Sequence, residues 1–136
     1  MFSVRLQVRS YEVDRLGHLN QAVYASYAEH ARVELLRAAG VALAGPVHLG
    51  IVVLESRIRY LRELLVGDQV DVSCAMVFGT GKTFAMDSTF TRTDGVVAAE
   101  TACTMGLMDL DARRLIGEPQ KRLIELATDP TVWAAG

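Results

Sequence analysis

Two cysteines in 136 residues are too few to staple a fold. Cys74 and Cys103 each sit in an apolar, strand-like stretch, so they read as buried free thiols rather than as a disulfide or metal ligands. That usage fits a reducing cytoplasm. No apolar run approaches the ~20 residues of a membrane span. The opening Met-Phe-Ser-Val-Arg-Leu-Gln-Val-Arg alternates as a strand does, so no signal peptide is expected. Basic excess is missing as well. The net charge is −2 and the arginines are dispersed, which argues against partnership with nucleic acid or an anionic membrane. There is no glycine-rich phosphate loop, because Gly79-Thr-Gly81-Lys82 is too short and lies between strands. His18, His30 and His48 match no metal-ligand spacing, so no metal is expected.

What is present describes one globular unit. Hydrophobic residues make up 51% and charged residues 22%, with no repeat, low-complexity tract or linker, and residues 1–136 are read as a single domain. A chain of this length removes roughly two-thirds of its unfolded surface from water.

The hydrophobic period changes along the chain. Phe2, Val4, Leu6 and Val8 alternate with Arg5, Gln7 and Arg9, the pattern of a half-buried strand. Residues 11–20 break that period and contain Gly17. A helix is expected over about 21–39, capped by Asn20 and stopped by Gly40, with Tyr24, Tyr27, Ala28, Ala31, Leu35 and Ala38 on its buried face. Glu29, Arg32, Glu34 and Arg37 sit mainly off that face, and Gly45 and Pro46 follow the helix.

Four strand-like runs come next, at 47–61, 69–78, 83–93 and 96–108. In the first, Val52, Leu54, Ile58 and Tyr60 alternate with Val53, Glu55, Arg57 and Arg59. The last is small and apolar on both faces, as a central strand is. Gly67-Asp68, Gly79-Thr-Gly81 and Asp94-Gly95 separate the runs. A short helical tail is expected near 119–127. Segregated helix and strands predict an α+β fold, one long helix on a curved five-stranded antiparallel sheet. Its uncovered face and edges predict a homo-oligomer.

The densest chemistry lies in Tyr11-Glu-Val-Asp14-Arg-Leu-Gly17-His18-Leu-Asn20-Gln-Ala-Val-Tyr24. The stretch leads into a helix N-terminus, whose free N–H groups and partial positive charge suit a developing oxyanion. A carboxylate just upstream can serve as base or nucleophile. Composition alone leaves a plainer reading open, with Asp14 a turn residue and Asn20 only a cap.

The motif Asp14-x-x-Gly17-His18-Leu-Asn20-x-x-x-Tyr24, followed by Tyr27, Glu29 and Ala31-Arg32, resembles the signature of the 4-hydroxybenzoyl-CoA thioesterase family of hotdog-fold proteins. The stretch from Val8 to Gly40 is similar to long-chain acyl-CoA thioesterases and to plant acyl-ACP thioesterases of that family. Leu54-Glu55-x-x-Ile58-x-Tyr60-Leu61 through Gly67-Asp68 resembles its second strand and turn. The resemblance implies hydrolysis of an acyl-CoA or acyl-ACP thioester, with coenzyme A or carrier protein as part of the substrate and no separate cofactor. It places Asp14 at the catalytic acid position. Gln21 stands where a backbone N–H polarises the carbonyl. Gly17, His18, Asn20 and Tyr24 would shape the loop and acyl pocket, and Glu55 could face the site across a dimer. Arg57, Arg59, Arg62 and Lys82 are candidates for the nucleotide end. The expected assembly is a tetramer built from dimers. Two other functions fit the same fold: a non-catalytic acyl binder, and a hydratase or dehydratase. The latter place Asp and His about five residues apart, whereas Asp14 and His18 are four apart.

Overall fold

The computed structural model describes residues 1–41 and 48–134. Gly45 and Pro46 lie outside the described residues, as does Val47 at the start of the run expected to open there. Strand β1 (Ser3–Gln7) leads through a single 3-10 turn (Ser10–Glu12) to helix α1 (Gln21–Ala38). Strands β2 (Leu49–Tyr60), β3 (Gln69–Ser73), β4 (Ala75–Phe78), β5 (Thr83–Arg92), β6 (Val97–Asp109) and β7 (Arg114–Leu115) follow. Helix α2 (Pro119–Leu126) and a second 3-10 turn (Pro130–Trp133) close the described chain. None of the described helices is long and apolar enough to cross a membrane.

All strand pairs are antiparallel, and the main path runs β1-β3-β5-β6-β2. These are the five expected strands, with two small departures. The 69–78 run is interrupted between β3 and β4, although both halves pair with β5 in one unbroken register. The Ser73 hydroxyl stands in for a ladder carbonyl there, accepting the Thr89 N–H at 2.9 Å. The two-residue β7 adds a short ribbon against the end of β6.

Helix α1 lies on the concave face of the sheet. Tyr24, Tyr27, Ala28, Ala31 and Leu35 are buried against Val70, Val72, Met86, Phe90, Cys103 and Met105. Ala28 and Ala31 put no bulk between helix and sheet, so backbone and strands pack closely. One expectation for this helix is corrected. Ala38 is exposed, and Ala39 occupies the buried stripe, four residues on from Leu35. Arg32 lies off that stripe and is half-buried, its guanidinium donating to the Cys103 sulfur at 3.5 Å.

Strand β2 departs from simple alternation. Val53 pairs with Met105 but Glu55 pairs with Thr104, so Leu54 is the extra residue of a β-bulge. The bulge reverses which residues face the helix. Ile51 and Val53 do so before it, Ser56, Ile58 and Tyr60 after it. Glu55, Arg57 and Arg59 face away. The expectation that Val52, Leu54, Ile58 and Tyr60 share one face fails for this reason.

Helix α1 ends in a Schellman motif. The Gly40 N–H donates to the Arg37 carbonyl at 3.1 Å and the Val41 N–H to that of Leu36 at 3.0 Å. Gly40 has φ +68°, and the tail seals the same end, with the Thr128 and Asp129 N–H groups both donating to the Ala39 carbonyl at 3.0 Å. A Cβ on Gly40 would collide with the Thr128 side chain. Gly40→Ala is therefore expected to lose more than the roughly 1–2 kcal/mol that left-handed backbone alone costs a residue with a Cβ. Urea unfolding of the two proteins measures this, and an unchanged midpoint would contradict it.

Candidate active site

The segment between β1 and α1 forms a miniature hairpin. The Asn20 N–H donates to the Glu12 carbonyl at 2.9 Å, Val13 bridges Leu19, and the Asp14 N–H donates to the His18 carbonyl at 2.8 Å. The tip is the turn Asp14–Gly17, closed by the Gly17 N–H on the Asp14 carbonyl at 3.0 Å. Aspartate is favoured at the first position of such a turn, and Gly17, at φ +77°, takes the left-handed position that ends it. The hairpin is stitched to the β2–β3 connection. The Leu19 N–H donates to the Leu64 carbonyl at 2.7 Å, and His18 bridges Leu65.

Asp14 divides its carboxylate between two tasks. Oδ1 accepts the N–H groups of Leu16 at 2.9 Å and His18 at 3.2 Å. Oδ2 has no hydrogen-bond partner among the described residues. The group is thus aimed by one oxygen and available through the other. Glu12, the second carboxylate of the segment, is fully engaged. Its Oε1 accepts the Arg9 N–H at 2.9 Å and the Tyr27 hydroxyl at 2.7 Å, and its Oε2 lies 3.6 Å from the Arg9 guanidinium. This geometry separates two acids that composition could not.

Asn20 caps α1 as expected, its Oδ1 accepting the Ala22 N–H at 2.9 Å, while its carbonyl accepts the Val23 N–H at 2.9 Å. The Gln21 N–H is left without an intramolecular acceptor among the described residues, at the positive end of the helix. Tyr60, near the end of β2, clamps this turn, with its hydroxyl donating to the Gln21 carbonyl at 3.2 Å. Its ring meets Tyr24 edge-on at 5.1 Å.

These groups line one cleft of about 280 Å³, bounded by Asp14, His18, Gln21 and Tyr24 and, from the other side, by Tyr60, Arg62 and Glu63. Of the four expected basic residues, Arg62 reaches this cleft. Arg57 and Arg59 line a depression that they share with Asp87 and Glu100, and Lys82 lies in the β4–β5 turn. Glu55 does not line the cleft, because the bulge turns it away from α1. Glu63 was missed from sequence, since it follows a strand without any motif of its own. The segment's abundance of charge was the available signal. A further, largely apolar groove of about 220 Å³ runs between α1 and β2, lined by Val33, Leu36, Ile51, Val53, Met86 and Met105 together with the charged Glu29 and Arg32. Among the described residues, no three His, Cys, Asp or Glu side chains gather as metal ligands do. His30 is exposed on α1, and His48 pairs with Asp111 at 3.0 Å.

Burial pushes the Tyr24 phenol up to about 12, helped by Tyr60, Glu63 and Asp14 nearby. Tyr24 therefore presents a neutral hydroxyl to the cleft through the neutral pH range. A raised phenol pKa means the folded state holds the proton more tightly than the unfolded one. The resulting stability is intact below pH 10 and declines as pH rises towards 12. Tyr24→Phe is expected to flatten that alkaline decline, and urea midpoints measured from pH 9 upward test it. Identical slopes in the two proteins would refute the assignment.

A sequence model described as the thioesterase-like superfamily matches residues 8–128. A chloroplastic acyl-acyl carrier protein thioesterase of Arabidopsis thaliana is 37% identical over 79 residues, which are 57% of this chain and 41% of the relative. The chain thus spans less than half the length of that curated relative. The fold is similar to a 12:0-ACP thioesterase from Umbellularia californica, with TM-score 0.84 and 19% identity over 99% of this chain and 51% of that one. It is also similar to a Staphylococcus aureus protein solved in complex with CoA, with TM-score 0.80 and 23% identity over 91% of this chain and 81% of that one. At these identities the structural likeness establishes the hotdog fold.

Proposed function

Because this chain belongs to the thioesterase-like superfamily, we propose that it hydrolyses an acyl thioester of coenzyme A or of acyl carrier protein, with Asp14 as the reacting carboxylate. The observation that carries the reading is the free Oδ2 of Asp14, in the same cleft as the unpaired Gln21 N–H at the start of α1. The hairpin motif supports placement with the 4-hydroxybenzoyl-CoA thioesterase family within that superfamily.

The chemistry follows from the two groups. The thioester carbonyl oxygen accepts the Gln21 N–H, where the helix dipole favours the negative charge that develops. Asp14 either attacks the acyl carbon or takes a proton from a water that does so. The carbon–sulfur bond breaks, and the thiolate leaves and is protonated. Direct attack leaves an acyl anhydride on Asp14, which water then opens to free acid and carboxylate. The Tyr24 hydroxyl and His18 border the acyl carbon, and Gly17 and Asn20 hold the loop and helix start. Arg62 offers charge to a phosphate of the carrier arm. The apolar groove between α1 and β2 suits an acyl chain. The proposed reaction uses no metal and no organic cofactor.

Asp14→Asn tests the proposal. The amide oxygen can still accept from Leu16 and His18, so the turn and the fold should survive. Thiol release from acyl-CoA and acyl-ACP panels, assayed with chelator present, should fall by roughly 10²–10⁴-fold. Asn20→Ala is the stability control, expected to lose about 1 kcal/mol with the helix cap. Near-normal turnover in Asp14→Asn would defeat the proposal.

We also propose a homo-oligomer, a tetramer built from dimers. Strand β2 is a long sheet edge, and Val53, Leu54 and Tyr60 on it are each about half exposed. A role for Glu55 requires this second subunit. Sedimentation equilibrium at micromolar concentration should show a species larger than one chain, and a monomer would rule the assembly out.

A further inference from the structure

We propose that Glu12 is a positioning residue that sets the aim of Asp14 by pinning the hairpin base to helix α1 through Tyr27. This inference rests on the thioesterase reading and extends it to a residue outside the cleft.

Asp14 sits at the tip of a short hairpin: below the turn, its arms are joined by the Asn20 N–H on the Glu12 carbonyl, the bridge between Val13 and Leu19, and the two bonds between Asp14 and His18. An isolated ribbon of this size is marginal. The base of one arm is anchored by the Glu12 carboxylate. Its Oε1 takes both the Arg9 N–H, at the exit of β1, and the Tyr27 hydroxyl, on α1. The Glu12 side chain is only 11% exposed and Tyr27 only 4%, so this contact is shielded from solvent. The other arm is anchored by Asn20, whose N–H bonds the Glu12 carbonyl while its side chain caps α1. Glu12 therefore joins both arms and the helix at one residue. The direction of Asp14 Oδ2 relative to the Gln21 N–H depends on that junction, because Asp14 rides on one arm and Gln21 on the helix.

The linkage has a specific signature. Tyr27→Phe deletes a single hydroxyl, and Glu12→Ala deletes the acceptor. In Glu12→Gln one amide oxygen can still accept both bonds. For thiol release, Glu12→Ala and Tyr27→Phe should lower kcat by roughly 10–100-fold with KM nearly unchanged, and Glu12→Gln should restore most of the loss. Amide hydrogen exchange supplies a readout independent of turnover. The Leu16 and His18 N–H groups, which bond Asp14 Oδ1, should exchange faster in Glu12→Ala and Tyr27→Phe, while amides of β5 and β6 keep their wild-type rates. Wild-type kcat in Glu12→Ala, or unchanged exchange at Leu16 and His18, would overturn the inference. Uniformly faster exchange across β5 and β6 would also overturn it, as it would mark a purely structural role. A wild-type protein that releases no thiol would overturn the thioesterase reading instead.

Discussion

The close approach of α1 to the concave sheet is the constraint on which everything else depends. Ala28 and Ala31 let the helix settle against the sheet at β1, β3 and β5, and burial of that stripe holds the curved sheet around it. A large residue at either alanine position would push the helix outward. Its first turn would then move away from the hairpin and from the end of β2. The cleft exists because those three pieces meet where the helix begins, so the core and the site share one geometric cause.

At that meeting point the protein keeps polar groups fixed without saturating them. Asn20 takes the second and third N–H groups of the helix and leaves the first open. Asp14 saturates one oxygen and leaves the other open. Tyr60 ties the Gln21 carbonyl to β2, so the open N–H cannot swing away by fraying. A site of this kind has its donors and acceptors oriented before substrate arrives, the arrangement that electrostatic stabilisation of a transition state requires. Tyr24 adds a hydroxyl that stays protonated because burial of the residue and its neighbours Tyr60, Glu63 and Asp14 disfavour the phenolate.

Much of the fold was legible because short-range rules decided it. The start of α1 follows from a cap and its neighbours within three residues, and its end from Gly40 in the left-handed region. The strands follow from alternation wherever one face is buried, as in β1 and β5. Alternation misled at β2, where the extra residue at Leu54 reverses the faces. A bulge is a property of the strand pair, and nothing in β2 alone says that Thr104 and Met105 will oppose two residues with a third between them. The hairpin carrying Asp14 was legible only as a loop, since its cross-strand pairs involve no periodic pattern.

The sequence by itself determined the class of fold, the extent of the long helix, and the segment where chemistry gathers. These depend on residues a few positions apart, whose contacts form however the rest of the chain closes. Tertiary structure alone decided which carboxylate in that segment is free. Glu12 and Asp14 are two residues apart and chemically alike, but Tyr27, fifteen residues beyond Glu12, reaches one of them and not the other. It also brought Tyr60, Arg62 and Glu63 to the cleft from some forty residues away and turned Glu55 out of it. Such contacts require the helix to be seated on the sheet, and no local pattern encodes where that seating leaves a distant side chain.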